Sequence, residues 1–170
     1  AKKKTPAGPI KAGAASADIT PPIGAPMFAY TDRSRVFNPT NNQDLLQVLA
    51  DPDQGLYAKT FVPSKGFHTR LKARALVIER LGVPYALVQV DLGGIPFAVA
   101  KAVAERVAPL GITQDRLLIS ATHTHAGHGA IWPSLDNLGY GFVGGDVFDK
   151  RIFDLTVAGI AEAIEGAHAK

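Results

Sequence analysis

The chain's clearest chemical signal is His123-Thr124-His125, which directly follows the apolar run RLLISAT at Arg116 to Thr122. On an extended backbone, residues i and i+2 point to the same side. Two imidazoles so placed can share one metal ion as neutral ligands. Zinc takes about four ligands, so the remaining donors must come from elsewhere. His128 extends the spacing to His-x-His-x-x-His. Asp91 ends the run PYALVQVDL. Its carboxylate can reach the same crevice, or it can serve as a turn or helix-start residue before Gly93-Gly94. Thr122 and Thr124 can brace the imidazoles through hydrogen bonds, and Gly127 and Gly129 let backbone pass close to a bound group. His68 reads as a loop residue and His168 as a solvated one. Trp132 and Phe142 are either pocket walls or plain packing.

The elements that must position these residues follow from periodicity and punctuation. Ile10 to Thr20 is compatible with a strand that stops at Pro21-Pro22. From there to about Ser64 the chain is rich in Pro, Gly, Asn and Asp, with a helical turn or two around Asp44 to Leu49. Such a stretch greatly exceeds the usual connection of about 4–6 residues, so it is functional or leans on something outside this chain. His68 to Arg80 and Pro84 to Leu92 read as strands joined by a Leu81-Gly82 turn. Their continuous apolar runs, ALVIE and ALVQV, suggest burial on both faces. Ile95, Val99, Val103 and Val107 fall at helical spacing, between Pro96 at the start and Pro109 and Gly111 at the end. With RLLISAT this makes a βαβ unit, whose strands are expected to be parallel. The histidine pair then lies where open α/β sheets bind ligands, just beyond the carboxyl ends of the strands. Asp146 is expected to cap a final helix that is apolar over much of its circumference, with Asp149 favouring its positive end.

Composition narrows the chemistry. The chain has 170 residues and no cysteine, which excludes thiolate metal sites, disulfides and a thiol nucleophile. Any metal must be held by histidine and oxygen ligands. The net charge of +3 owes much to Lys2, Lys3 and Lys4 in a leader over residues 1–9 that reads as flexible. No basic cluster with interleaved aromatics points to nucleic acid. No run approaches the about 18 apolar residues of a transmembrane span.

Several segments together resemble one family. LLISATHTHAGHG resembles the zinc-binding segment of the neutral/alkaline non-lysosomal ceramidases, a strand followed by THTHSGPGG. ASADITPPIGAPM resembles the family's amino-terminal strand ending in Asp-x-Thr-Pro. GFHTRLKARALVIE and ALVQVDLG resemble the next two strands, and DVFDKRIFDLTVAGIAEAIEGA the helix that follows. The match runs over residues 10–170, least assignably at 31–64. The resemblance implies a Zn2+-dependent hydrolase that cleaves the amide of ceramide or a related N-acyl lipid. It implies that His123 and His125 are zinc ligands. The family's third His, its Glu and Tyr ligands and its active-site Ser lie farther along than residue 170. Catalytic groups are therefore expected outside this chain. Asp91, Thr124 and His128 are expected to support or border the site. Secretion or a periplasmic location is implied too, with any signal peptide already removed.

The chain departs from the motif at Ala126, where the family has Ser, and at His128, where it has Pro. Both lie on the substrate side and leave related acyl amides open as substrates. A metallo-β-lactamase-like hydrolase using His123, His125 and His128 is an alternative, as is a non-catalytic binding or assembly module of the same fold. The expected fold is α/β: a mixed, largely parallel sheet with flanking helices. Residues 10–170 are then the amino-terminal portion of a catalytic domain, incomplete without its downstream part. The implied partners are the remainder of that unit, in the same precursor or a second chain, and an acyl-amide or lipid substrate.

Overall fold

A computed structural model describes residues 8–28, 31–133 and 140–170. Most of the expected leader lies outside them. The chain forms one mixed sheet in the order β1-β2-β3-β4, with β1 at Ile10–Asp18, β2 at Lys72–Arg80, β3 at Val83–Val90 and β4 at Leu117–Ala121. β1 and β3 each pair antiparallel with β2, and β4 runs parallel to β3. The parallel share is smaller than the sequence suggests, because β2 returns antiparallel beside β1 after the long excursion and β3 follows β2 through a hairpin. Among the described residues four α-helices accompany the sheet: α1 at Leu45–Ala50, α2 at Phe97–Val107, α3 at Tyr140–Gly145 and α4 at Lys150–His168. No helix among the described residues is long and apolar enough to cross a membrane.

Local chemistry accounts for these elements. Leu81 and Gly82 both adopt positive φ, at 54° and 75°, which matches the twist of a two-residue hairpin between β2 and β3. Asp44 caps α1, accepting from the backbone N–H of Leu46 and Gln47. Val99, Val103 and Val107 of α2 are buried, as their spacing requires. The inner sheet face, with Ala75, Val77, Ala86 and Val88, is buried with Ile160 and Ile164 of α4 in one core. Close approach of α4 to β1 depends on glycine. A Cβ at Gly13 would meet the Ala167 carbonyl oxygen at 2.1 Å, and one at Gly159 would meet the Asp18 carbonyl oxygen at 2.7 Å.

Two expectations need correction. Asp149, not Asp146, caps the final helix, accepting from the Arg151 N–H at 2.9 Å. Asp146 is itself buried, at φ 75°, and fastens residues 59–61 to the chain before α4. The strands are also not buried on both faces within this chain. Leu76, Leu87 and Leu118 stand exposed on the side away from α4.

Candidate metal-binding site

The carboxyl ends of β3 and β4 lie side by side, with Val90 opposite Ala121. β3 runs out into Asp91 and Gly93, and β4 into His123. β4 has already ended at Ala121, so the two histidines are not held by strand geometry as expected. His123 instead sits at φ 61°, in the left-handed region that few non-glycine residues occupy. Its Nδ1 lies 2.6 Å from the Gly93 carbonyl oxygen. With Nδ1–H donating there, Nε2 is the nitrogen that carries the lone pair a metal would use. The His123 and His125 ring centroids are 5.1 Å apart.

Phe28 backs the pair. Its ring meets His125 edge-on at 5.7 Å and His123 at 6.5 Å, and it stacks on Trp132 at 5.3 Å. Trp132 thus packs behind the pair. A Cβ on Gly93 would fall 2.0 Å from the Phe28 ring, so only glycine brings that carbonyl to His123. The Arg33 guanidinium donates to the His125 carbonyl, fixing the loop from the other side. The Phe28 N–H donates to the Gly127 carbonyl at 2.9 Å and the Gly129 N–H to the Pro26 carbonyl at 2.8 Å. Gly127 and Gly129 serve this tight backbone packing. Phe28, Arg33 and Gly93 carry no ligating group, so residue type alone does not single them out. The GAPMF and GG strings offered only turn signals.

The remaining candidates take other places. Asp91 turns to β2, accepting from the Lys72 N–H at 2.9 Å and pairing with Arg74 at 2.7 Å. Burial pushes its carboxyl up, but the hydrogen bonds from Arg74 and Lys72 and the Arg74 charge outweigh this and hold it below the usual range. Thr124 Oγ1 accepts from the Ala126 N–H at 3.2 Å rather than bracing an imidazole. His68 is exposed, and His168 is part-covered in the last turn of α4. His128 is buried, with Nε2 2.8 Å from Thr156 Oγ1, and that hydroxyl donates to the Ile152 carbonyl at 2.8 Å. Its Nδ1 has no hydrogen-bond partner among the described residues. Burial pushes the imidazole down to about 3, so it is neutral.

A cavity of about 550 Å³ adjoins the site. Met27, Phe67, Leu71, Asp91, Thr122 and Thr124 help line it. His123 and His125 are not among the residues lining it, so the pair and the cavity flank segment 122–126. Among the described residues no group of three or more His, Asp or Glu is placed to hold a metal. The donor set fits zinc in kind, two imidazoles with one tautomer fixed, but supplies only two of its ligands.

Residues 50–170 match the family described as neutral/alkaline non-lysosomal ceramidase, N-terminal. The chain belongs to this family. Among solved structures it is similar to a ceramidase complexed with C2, at 28% identity and a TM-score of 0.68. It is equally similar to the neutral ceramidase from Pseudomonas aeruginosa, at 27% identity and 0.67. Each likeness covers 95% of this chain but only 21% and 22% of the other. The chain therefore spans about a fifth of the length of the ceramidases it matches. The metallo-β-lactamase-like alternative falls here. His128 is committed to the Thr156 hydroxyl in the core and does not join the pair, and the family match lies elsewhere.

Proposed function

We propose that this ceramidase-family chain supplies part of a zinc-dependent amidase acting on ceramide or a related N-acyl lipid. The observation that carries the reading is the histidine pair at the end of β4, with rings 5.1 Å apart and one tautomer set by Gly93. Bound zinc would act as a Lewis acid that polarises the amide carbonyl. His123 and His125 serve as ligands only, since a nitrogen bound to metal cannot also take a proton. Gly93 and Phe28 hold His123, and Arg33 holds the His125 backbone. Further ligands and the groups that move protons come from the rest of the catalytic unit. Ala126 removes a hydroxyl from the cavity wall relative to the family's Ser, which favours acyl amides related to ceramide beside ceramide itself. Export to the periplasm or the medium belongs to the same reading and rests on the resemblance.

The test is metal analysis and hydrolysis of an N-acyl sphingoid base by the full polypeptide carrying this segment. Stoichiometric zinc is expected, with activity lost to a chelator and restored by zinc. A well-folded, metal-free protein that leaves the amide intact would show instead a non-catalytic member of the fold.

A further inference from the structure

The sheet face away from α4 carries a cross-strand row of leucines. Leu76 of β2 stands opposite Leu87 of β3, and Leu87 opposite Leu118 of β4. On one face such directly opposed side chains are neighbours and form one patch. Their exposure rises across the sheet, 37% at Leu76, 42% at Leu87 and 62% at Leu118. Tyr85, half exposed, extends the patch toward the hairpin. The next row toward the carboxyl ends turns polar, with Arg74 opposite Gln89 and Gln89 opposite Ser120. A groove of about 410 Å³ follows these two rows. β4 is also an edge strand, paired among the described residues only with β3.

A bare apolar row beside an open strand edge is the kind of surface soluble proteins keep covered. All-parallel sheets are covered on both faces, and the parallel β3–β4 pair brings that preference to this side of the mixed sheet. The continuous apolar runs of β2 and β3 fit such cover, and α4 supplies it on one side only. We propose that the leucine row and the free edge of β4 seat the rest of the catalytic unit, which packs an apolar element on the row and adds a strand beside β4. The occupant follows from proportion. The ceramidases that contain this fold carry about four fifths of their length outside the matched part. Exposure that climbs toward β4 places the contact on that side. The proposal rests on reading the chain as part of a larger unit, and not on zinc or amide chemistry.

These 170 residues contain no cysteine, so a thiol introduced on this face is the only one within the segment. Leu87→Cys and Leu118→Cys are made singly in the full polypeptide, and alkylation at each introduced thiol is followed by peptide mapping. Native rates about tenfold or more below those of the same protein in denaturant are expected, since buried sites react only through opening. Native rates equal to denatured ones in a folded protein overturn the proposal. So does protection that fades on dilution, which would assign the face to a second copy. Zinc content and hydrolysis are read on the same samples. Protected thiols in a metal-free, inactive protein support the docking face while refuting the amidase reading.

Discussion

His123 Nδ1 lies 2.6 Å from the carbonyl oxygen of Gly93, and this contact ties the ends of two neighbouring parallel strands together. It selects the imidazole tautomer and orients the ring. It also helps hold His123 at φ 61°, a backbone conformation that costs on the order of 1 kcal/mol. The geometry of the histidine pair therefore depends on a glycine that contributes no side chain to it.

Gly93→Ala tests that dependence. The new Cβ would meet the Phe28 ring at 2.0 Å, so either the ring or the carbonyl must shift. In the full polypeptide, zinc affinity is expected to fall about tenfold or more, as when other groups that orient a ligating histidine are lost. Competition with a chelator measures it. Unchanged affinity would mean that the Gly93 carbonyl does not set the site.

His128 makes stability depend on pH with a definite sign. Unfolded, its imidazole titrates at the ordinary 6.5, and burial in the folded chain pushes it down to about 3. The unfolded state binds the proton more readily between these values. The contribution is therefore complete above 6.5 and is lost as pH falls through 6.5 toward 3, by at most about 1.4 kcal/mol per pH unit. His128→Leu removes the titrating group and leaves the Thr156 hydroxyl on the Ile152 carbonyl. Urea denaturation between about pH 6 and pH 4 is expected to give a flatter stability profile for the variant than for the parent. Equal slopes would rule out a buried neutral His128.

Much of this fold was legible because its signals are local. The β2–β3 hairpin, the β3–α2–β4 unit and the apolar spacing of α2 and α4 each follow from residues within one element or its chain neighbours. The histidine pair was legible as a residue type. Its geometry was not, because the positive φ of His123 goes with its contact to the Gly93 carbonyl, and Gly93 packs against Phe28, which lies 95 positions before His123 in the chain. Asp91 was ambiguous, and Asp146 read as a helix cap, for the same reason. An Asp beside a helix start looks like a cap, and only the fold reveals donors arriving from β2 or from residues 59–61.

Gly159→Ala should reverse the usual helix rule. In an exposed helix interior alanine is better than glycine by about 1 kcal/mol. Here the Cβ would meet the Asp18 carbonyl oxygen and the Ile19 side chain at 2.7 Å each. The backbone oxygen cannot rotate away, so α4 must lift from the end of β1. A loss of about 1–3 kcal/mol is expected in denaturant unfolding. A stabilised variant would mean that α4 packs less closely on β1 than 2.7 Å implies.

Asp146 gives the sharpest contrast between a cap and a staple. It is 1% exposed, and its carboxylate accepts from the N–H groups of Lys59 at 2.7 Å, Thr60 at 2.9 Å, Phe61 at 3.3 Å and Val147 at 2.7 Å. The Thr60 hydroxyl adds a further bond at 2.7 Å. Asp146→Ala strands these donors in the interior and places a residue ill suited to φ 75° at the turn. The expected loss is about 3 kcal/mol or more, since bonds to a charged group contribute about 1.5–3 kcal/mol each and do not add fully. Asp149→Ala removes only the α4 cap and its exposed Arg151 pairing, with an expected loss of about 1 kcal/mol. Urea midpoints of the two variants, with limited proteolysis of the 51–64 segment, separate the roles. Faster cleavage there is expected for Asp146→Ala and not for Asp149→Ala. Equal midpoints and equal cleavage would return Asp146 to the rank of an ordinary turn residue.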